Sequence, residues 1–419
     1  MNTLRTREID PECRLSETFM KRKIYLFDTE EMHLNLLPLS FIRPVAAIRI
    51  GITTIKEKWD YYLDADCNYL PVDYLIEKYG SIDNIEEEAL FIAGNILPSE
   101  EILHLIYNME KGDVVVEGDR IQVYKGKYKD FMEGNFTKEH HLPTIRKISY
   151  VFDIFLQNPE EIRHDFKRIT RGRKSEPLPD TNIIIGDVTD KDGYDMIFIE
   201  EGARVDCSTI NLRKGPVYIG RNSKVMEGSH IRGPLALCEN AKIRMGSKIY
   251  GGCTFGPYTK IGGEIDNTVI FGYSNKAHDG YMGNAVIGEW CNIGAGVNAS
   301  NLKNDYAKIK IWNYAKEAFM KTSLQFCGLI LGDHSKIGIN CMLNTATTIG
   351  VGVNLHGTGY PRVYIPNFCE GSPTTGFSYM KLDKFFEIAE RVMERREIKM
   401  AEEERKIFEK IYSETIEIV

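Results

Sequence analysis

Residues 217–263 carry an apolar side chain at every sixth position, and this spacing constrains the fold more than any other feature of the chain. Helices repeat their apolar face about every 3.6 residues and half-buried strands every 2, so neither explains the period. It fits a prism whose six-residue rungs each hold a short strand and a turn, with three rungs to a coil. The apolar residues of this series are Ile219, Val225, Ile231, Leu237, Ile243, Ile249, Phe255 and Ile261.

Small residues precede most of these apolar residues by two positions, as expected for a chain that turns a corner. They are Ser223, Ser229, Ala241, Ser247, Cys253 and Thr259. The apolar series resumes at Ile287, Ile293, Leu331, Ile337, Leu343, Ile349 and Leu355. The sequence therefore predicts a parallel β-helix over residues 183–365, interrupted by two insertions at 265–286 and 300–327.

The rest of the chain divides around the β-helix. Residues 1–23 are charged and lack an apolar core, so we expect an N-terminal extension and no signal peptide, with translation starting at Met1 or Met20. Residues 24–175 combine short apolar strands with amphipathic segments at 71–79 and 145–157, which predicts an α/β domain. The Pro-containing stretch 171–182 is the predicted boundary. Residues 366–419 are predicted to be a helical tail that caps the open end of the β-helix.

Composition narrows the class of partner. The net charge of −7 argues against a nucleic-acid partner, because no domain-wide basic surface is available to meet phosphates. The nine cysteines include no C-x-x-C pair, so neither a zinc framework nor a redox motif is indicated, and free thiols suit the cytoplasm. No run of 18 apolar residues exists, so no membrane-spanning helix is expected.

His278 lies in the first predicted insertion, followed by Asp279 and Gly280. A loop ejected from a strict coil is a natural place for a catalytic residue, and imidazole is the natural general base near neutral pH. A surface histidine in a flexible loop is the simpler alternative from this residue alone.

The segment from His278-Asp279-Gly280-Tyr281 through Gly294-Ala295-Gly296 to Asn301 resembles a family motif. The motif, H-L-x-Y-x-G-D-x-x-I-G-x-x-x-N-x-G-A-G followed by Asn, is typical of bifunctional sugar-1-phosphate nucleotidyltransferase/glucosamine-1-phosphate N-acetyltransferases. The resemblance covers about residues 199–355. It implies a left-handed parallel β-helix, acetyl-CoA as co-substrate, and a homotrimer that binds acyl-CoA between neighbouring subunits.

The resemblance also implies roles for single residues. His278 would take the proton from the sugar amine, Tyr281 and Asn292 would contact the amino sugar, and Asn301 and Asn340 would bind acetyl-CoA. Three positions depart from the motif. Asp279 replaces Leu, Asn284 replaces Asp, and Asn267 stands where the bacterial enzymes have a lysine for the sugar phosphate.

The N-terminal domain resembles the nucleotidyltransferase part of that family, in the divergent form found in Bacteroidetes-type sequences. Leu39–Pro44 resembles the L-T-x-x-R-P end of its signature, but the Gly-rich loop that precedes it in the family is absent. Phe91–Asn95 resembles the strand whose Gly-Asp holds Mg²⁺, with Asn95 in place of the aspartate. The resemblance implies that Arg43 and Asn95 lie at the nucleotide site. An amide binds Mg²⁺ much less strongly than a carboxylate, so the metal ligands are either rearranged or lost.

Three functions remain open from the sequence. The first is acetyl transfer to an amino-sugar 1-phosphate in UDP-N-acetylglucosamine biosynthesis, with an attached nucleotidyltransferase domain that is active or degenerate. The second is a pyrophosphorylase whose β-helix serves for oligomerisation, and the third is a non-catalytic scaffold. The presence of His278, Tyr281 and Asn292 favours the first.

Overall fold

The computed structural model describes residues 23–80, 88–142 and 144–417. The predicted N-terminal extension, apart from Lys23, and both candidate start residues lie outside these ranges. Two compact units are found. One contains the described residues through His33 with Arg43–Ile48 and Thr54–Ser149, and the other contains Leu34–Ile42, Arg49–Thr53 and the chain from Tyr150 onward. The predicted domain limits stay predictions.

The first unit is built on a six-stranded mixed sheet, as the predicted α/β class requires. Its strands are β1 (Lys23–Phe27), β2 (Asn68–Leu70), β3 (Ala89–Ala93), β4 (Asp113–Glu117), β5 (Arg120–Gly126) and β6 (Lys138–His141). They lie in the order β2-β1-β3-β5-β4-β6. Strand β1 is parallel to both of its neighbours, β2 and β3. Every residue of β3 is buried, which explains its continuous apolar sequence.

The α-helices in the described part of the chain are α1 (Glu30–Asn35), α2 (Ile55–Leu63), α3 (Ile76–Tyr79), α4 (Glu100–Asn108), α5 (Tyr128–Glu133), α6 (Val151–Thr170), α7 (Leu382–Glu394) and α8 (Glu402–Glu417). Short 3₁₀ turns occupy Val45–Ala47, Asp73–Leu75 and Tyr314–Lys316. The predicted helix at 71–79 is thus one 3₁₀ turn followed by one α turn. The helix predicted at 145–157 begins only at Val151, because the Asp153 carboxylate accepts the Tyr150 N–H and caps the first turn there.

The second unit contains the predicted β-helix, whose three faces we number by their first strand after residue 195. Face 1 contains Ile197–Ile199, Val217–Ile219, Leu235–Leu237, Cys253–Phe255, Val269–Ile270, Val286–Ile287, Ile330–Leu331, Thr348–Ile349 and Tyr364–Ile365. Face 2 contains Arg204–Val205, Lys224–Val225, Lys242–Ile243, Lys260–Ile261, Asn275–Lys276, Asn292–Ile293, Lys336–Ile337, Asn354–Leu355, Cys369–Ser372 and Gly376–Tyr379. Face 3 contains Ile183–Ile185, Thr209–Asn211, His230–Arg232, Lys248–Ile249, Glu264–Asp266, Tyr281–Gly283, Asn298–Ala299 and Met342–Leu343.

The inward residues of the β-helix are the apolar residues of the six-residue series. All of them are at most 3% exposed. Where the small residue two positions earlier is Ser or Thr, it closes the turn, because its hydroxyl donates to the carbonyl three residues back, as Ser223 does to Gly220 (2.6 Å) and Ser247 to Arg244 (2.6 Å). At Gly220 a Cβ would lie 2.7 Å from the Cys238 backbone of the next coil. The β-helix prediction is therefore confirmed, and so are its Ser and Thr corner residues, whereas Cys253 lies in a strand.

The predicted insertion at 265–286 is wrong. Residues 264–287 form strands that pair in parallel with the coils on either side. After Ile261, their inward residues are Ile265, Ile270, Lys276, Met282 and Ile287, so the step varies from four to six residues. The turns are shorter here, which breaks the sequence period without breaking the coil.

The insertion at 300–327 is real. It leaves the coil after Asn298–Ala299 and contains the hairpin Lys310–Asn313 and Ala318–Lys321. Trp312 of this hairpin stacks on Tyr364, with ring centroids 4.1 Å apart.

Helix α6 packs on face 1 through a buried amide. The Asn158 Nδ2 donates to the Gly252 carbonyl (2.8 Å), and its Oδ1 accepts the Gly51 N–H (2.7 Å) and the Thr254 hydroxyl (3.0 Å). A buried amide with all of these partners satisfied holds the helix in one position, because any shift would leave a buried polar group unpaired.

The C-terminal helices are present, but they lie along the corner between faces 1 and 2. Phe385 of α7 packs edge-on against Phe368 (5.1 Å) and His334 (5.8 Å) from different coils, and Arg396 donates to the Tyr258 carbonyl (3.4 Å). The edge of face 2 is covered by Gly376–Tyr379, which pairs antiparallel with Cys369–Ser372. The strand edge at the end of the solenoid is thus covered by this hairpin and not by the helical tail that was predicted to cap it.

We predict that Ile249→Asp prevents folding of the second unit. Ile249 is 3% exposed on the prism axis, where an unpaired carboxylate costs on the order of 3–5 kcal/mol. The measurements are soluble yield and the thermal unfolding midpoint. Met245→Asp is the matched control, because Met245 lies in the same coil and is 66% exposed. An Ile249→Asp protein that melts with the wild type would contradict the inward assignment.

Candidate functional site

His278 lies on a regular corner of the β-helix, between Asn275–Lys276 on face 2 and Tyr281–Gly283 on face 3. The coil before it approaches closely: a Cβ at Gly263 would lie 3.0 Å from the His278 carbonyl. The coil after it is bonded through the Gly296 N–H, which donates to the Asp279 carbonyl (2.9 Å). The backbone of this turn is therefore fixed from both sides, while the His278 side chain is exposed. The expectation of an ejected loop around His278 is wrong.

Lys276 fixes the same turn from inside the prism. It pairs in register with Ile261, so its side chain takes an inward position, and it is 1% exposed. Its ammonium donates to the carbonyls of His278 (2.5 Å) and Asp279 (3.0 Å). Burial lowers the pKa of Lys276 to about 8, and the charge of Asp279 partly opposes this shift. A buried charge is tolerated only with such partners. The two bonds from Lys276 therefore stabilise the turn that carries His278.

Sequence reasoning missed Lys276, although a signal was present. A lysine six residues before the buried Met282 occupies a position that the repeat reserves for apolar side chains. Lys276 was overlooked because residues 265–286 were assigned to an insertion. The shorter turns there shift the inward positions, so they no longer follow the six-residue spacing of the preceding coils.

Tyr281 lies on face 3 between the His278 corner and the next one. It pairs in register with Glu264 of the coil below, and the coil above contains Asn298. The Asn298 Oδ1 accepts the Tyr281 N–H (2.8 Å), and its Nδ2 donates to the Gly296 carbonyl (3.0 Å). Asn298, which sequence reasoning also missed, thus connects Tyr281 to the coil above.

Asn301 lies at the far end of this part of face 3, on the corner that leads to face 1. Its Nδ2 donates to the Asn284 Oδ1 (2.8 Å). A Cβ at Gly283 would lie 2.7 Å from the Asn301 Nδ2 and still closer to the Tyr281 hydroxyl. Glycine at 283 therefore leaves the space that both groups occupy. Burial and the charge of Asp266 raise the pKa of Tyr281, so its phenol stays protonated near neutral pH.

The remaining predicted residues of the β-helix lie on the two edges of face 3 or beside it. Asn340 (φ 56°) lies on the same corner as His278, between faces 2 and 3, but two coils above it. At the usual strand spacing, the backbones of these two coils are about 10 Å apart. Asn267 (φ 40°) is on the edge of Asn301, two coils below, and its Oδ1 lies against Gly252. Asn292 is exposed on face 2, between Asn275 and Lys336 in register. Asn267 and Asn340 are thus turn residues in the left-handed region that Asn tolerates, and their binding roles stay predictions.

In the first unit, the predicted nucleotide residues Arg43 and Asn95 are both buried, at 4% and 6% exposure. Asn95 follows β3, and its Nδ2 donates to the Ile148 carbonyl (2.9 Å). Asp28, which directly follows β1, accepts the Val45 N–H (3.0 Å). Burial raises the pKa of Asp28 to about 7, and the Val45 N–H opposes the shift. Sequence reasoning did not single out Asp28, although an acid at the end of a buried parallel strand is a common signal for a site.

Among residues 23–80, 88–142 and 144–417, no group of three or more His, Cys, Asp and Glu side chains is arranged to hold a metal ion. Within the same ranges, none of the helices combines the length and the apolar character needed to span a bilayer.

We predict that Lys276→Met changes how stability depends on pH. The folded pKa of about 8 lies below the unfolded value of about 10.4, so the unfolded chain binds more protons between these values. The free energy of unfolding of the wild type should therefore rise by about 1–2 kcal/mol between about pH 7.5 and 9.5 relative to Lys276→Met. Urea unfolding at both pH values measures it. Lys248→Met, which removes an exposed lysine, should show no such difference from the wild type.

Comparison with known proteins finds one matching family model and a distant curated relative. The family whose model matches residues 24–174 is described as sugar nucleotidyl transferase. A curated relative from Sulfurisphaera tokodaii, a bifunctional sugar-1-phosphate nucleotidylyltransferase/acetyltransferase, is 31% identical over 116 residues. That match covers 26% of this chain and 26% of the relative, so the chain spans about a quarter of its length.

Two solved structures show weaker similarity. The polySia specific acetyltransferase NeuO is 11% identical, with a TM-score of 0.22 over 48% of this chain and 87% of its own. An Arabidopsis UDP-N-acetylglucosamine acyltransferase is 14% identical, with a TM-score of 0.18 over 54% and 78%. The fold assignment rests on the strand pairing described above and not on these scores. Residues 24–174 match the model described as sugar nucleotidyl transferase, and the predicted resemblance to a bifunctional sugar-1-phosphate nucleotidylyltransferase/acetyltransferase is confirmed over 116 residues.

Proposed function

We propose that the β-helix transfers the acetyl group of acetyl-CoA to the amine of an amino-sugar 1-phosphate resembling glucosamine 1-phosphate. The observation that carries this proposal is the exposed His278 side chain on a turn fixed from three sides. Lys276 holds the turn from within, and the coils below and above hold its backbone. A general base needs this combination of an accessible imidazole and a fixed backbone.

The chemistry follows from the groups at face 3. The sugar amine is mostly protonated near neutral pH and becomes a nucleophile when it loses a proton. In our proposal the amine nitrogen attacks the thioester carbonyl, the His278 imidazole accepts the amine proton, and the C–S bond then breaks. The thiolate of CoA leaves and is protonated. The Asn301 Nδ2 donates to Asn284 and also hydrogen-bonds the Tyr281 hydroxyl. In our proposal one of its two N–H groups turns from the Tyr281 hydroxyl to the oxyanion.

Face 3, its edge and the neighbouring face 2 offer groups for the sugar. Tyr281 is a neutral phenol next to Asn301, and Asn292 and Asn267 complete the predicted set. Asn340, on the edge of His278, is assigned to acetyl-CoA. The sugar, the acyl group and a place in UDP-N-acetylglucosamine biosynthesis are all part of the proposal.

A second activity is favoured by the match over residues 24–174. We propose that this domain transfers a nucleotidyl group from a nucleoside triphosphate to a sugar 1-phosphate and releases pyrophosphate. Bound Mg²⁺ would neutralise the triphosphate charge. Pyrophosphate release from UTP or dTTP with hexose 1-phosphates tests this activity separately from acetyl transfer, and it distinguishes a bifunctional enzyme from a pyrophosphorylase with a structural β-helix.

The proposed location is the cytoplasm. The eight cysteines in the described part of the chain are all free thiols, and seven of them are buried. Free thiols persist in a reducing compartment, so the substrates would be cytoplasmic sugar phosphates and nucleotides.

We expect a homotrimer of about three times 47.9 kDa. The resemblance implies three β-helices side by side. Face 3 has exposed residues such as His230, Lys248 and Asn298, which a neighbouring subunit could contact. Multi-angle light scattering at micromolar concentration measures the mass. A monomer at this concentration would refute the proposed assembly.

We predict that His278→Ala lowers the rate of acetyl transfer about 10²–10⁴-fold, the usual effect of losing a positioned base. The side chain is exposed, so folding and acetyl-CoA binding should be unchanged. The residual rate should rise with pH between about 6 and 9, because more of the amine is free. Stopped assays with glucosamine 1-phosphate measure this.

His230→Ala is the matched control, since His230 is an exposed histidine on the same face, three coils below Tyr281. Asn301→Ala should also slow the reaction, but with a flatter pH response, because it removes a hydrogen-bond donor and not a proton acceptor. A His278→Ala enzyme with the wild-type rate at pH 7 would end the acetyltransferase proposal.

A further inference from the structure

The parallel strands of the first unit meet at a place suited to ligand binding. Strand β1 lies between β2 and β3, and the chain passes from β1 to β2 on one side before it crosses to β3 on the other. In such open sheets, ligands bind in the crevice outside the carboxyl ends of the strands, where the connections diverge. Asp28 follows β1 and Gly94-Asn95 follows β3, so both segments line this edge.

Two buried oxygen atoms here have no hydrogen-bond partner among the described residues. They are Oδ1 of Asp28 and Oδ1 of Asn95. The other side-chain atom of each group is occupied: the Asp28 Oδ2 accepts the Val45 N–H, and the Asn95 Nδ2 donates to Ile148. The orientation of both groups is therefore fixed, with an acceptor left over in each. Buried polar groups are rarely left unpaired, and two unpaired acceptors call for a donor or a cation.

Gly94 brings the backbone that follows β3 against Asp28. A Cβ at this position would lie 2.7 Å from the Asp28 Oδ1 and 3.2 Å from the Phe27 carbonyl. The backbone between β3 and Asn95 therefore passes directly against the Asp28 carboxylate, and glycine is required for that approach. Asn95 follows Gly94 directly, so it also stands at the carboxyl end of β3, next to the end of β1 that carries Asp28.

We propose that Asp28 and Asn95 together hold a divalent cation, with Asp28 supplying the negative charge that Asn95 lacks. Hard cations take oxygen ligands, and Mg²⁺ is commonly held by one or two carboxylates with substrate phosphates completing the shell. The two free oxygens fit this ligand type. The inference rests on the proposed nucleotidyl transfer, because the remaining ligands would be phosphates of a nucleoside triphosphate. It decides between the alternatives left by the sequence: the ligands are rearranged, not lost.

The test uses Mn²⁺ binding to the full-length protein, with and without UTP, measured by the enhancement of water-proton relaxation. Asp28→Asn keeps an acceptor for the Val45 N–H but removes the charge, and it should lower Mn²⁺ affinity by tenfold or more, on the order seen when metal-site groups are changed. Asn95→Asp adds a carboxylate to the same pair and should raise the affinity by a similar factor. Asp64→Asn, at an exposed aspartate of the same unit, is the control and should bind as the wild type does. Circular dichroism confirms that each variant is folded.

The outcomes separate this inference from the activity on which it rests. A wild type that binds no Mn²⁺ even with UTP, or an Asp28→Asn variant that binds as Asp64→Asn does, overturns the site. If Asp28→Asn loses affinity and Asn95→Asp gains it, the site stands. In that case, an absence of pyrophosphate release with every nucleotide tested would refute only the proposed nucleotidyl transfer.

Discussion

The stacking of inward apolar side chains along the prism axis is the interaction on which the second unit depends. Its strands are mostly two or three residues long, so none of them is stable alone, and each coil is held by its neighbours. The demand for close stacking then sets the corners. Small hydroxyl residues cap the turns, and glycines such as Gly220 allow the next coil to approach within contact distance.

Lys276 shows what such an axis tolerates and why. The ammonium takes an inward position in a column of aliphatic side chains, which is unfavourable unless its donors are used. They are used on the carbonyls of His278 and Asp279. The core therefore gives up apolar contact at one coil and gains a rigid turn at the surface. A rigid turn is useful here because it fixes the position of the exposed His278 imidazole, which is the base in the proposed chemistry.

In the first unit, the candidate ligand groups lie at the carboxyl ends of the parallel strands β1 and β3. The edge of its parallel strands presents a carboxylate and an amide, each with one oxygen that has no partner within the described residues. Both groups are anchored by their other atoms, so the edge is organised without a ligand. Backbone termini of parallel strands, and not a special loop, would then supply the geometry of the site.

The six-residue period by itself determined the β-helix, its inward residues and the chemistry of its corners, because burial on the axis forces one apolar residue per rung. Continuous apolar runs marked strands such as β1 and β3 of the α/β unit, whereas β6 carries no such run, and helical spacing marked α7. The motif around His278 identified the candidate base. Only the tertiary structure showed that residues 264–287 stay in the coil, that Lys276 points inward, and that Asp28 has a free oxygen beside Gly94. The physical reason is that strand pairing, not residue count, sets side-chain direction. A shortened turn therefore erases the period from the sequence while the neighbouring coils keep the register, and contacts between distant strands leave no periodic trace at all.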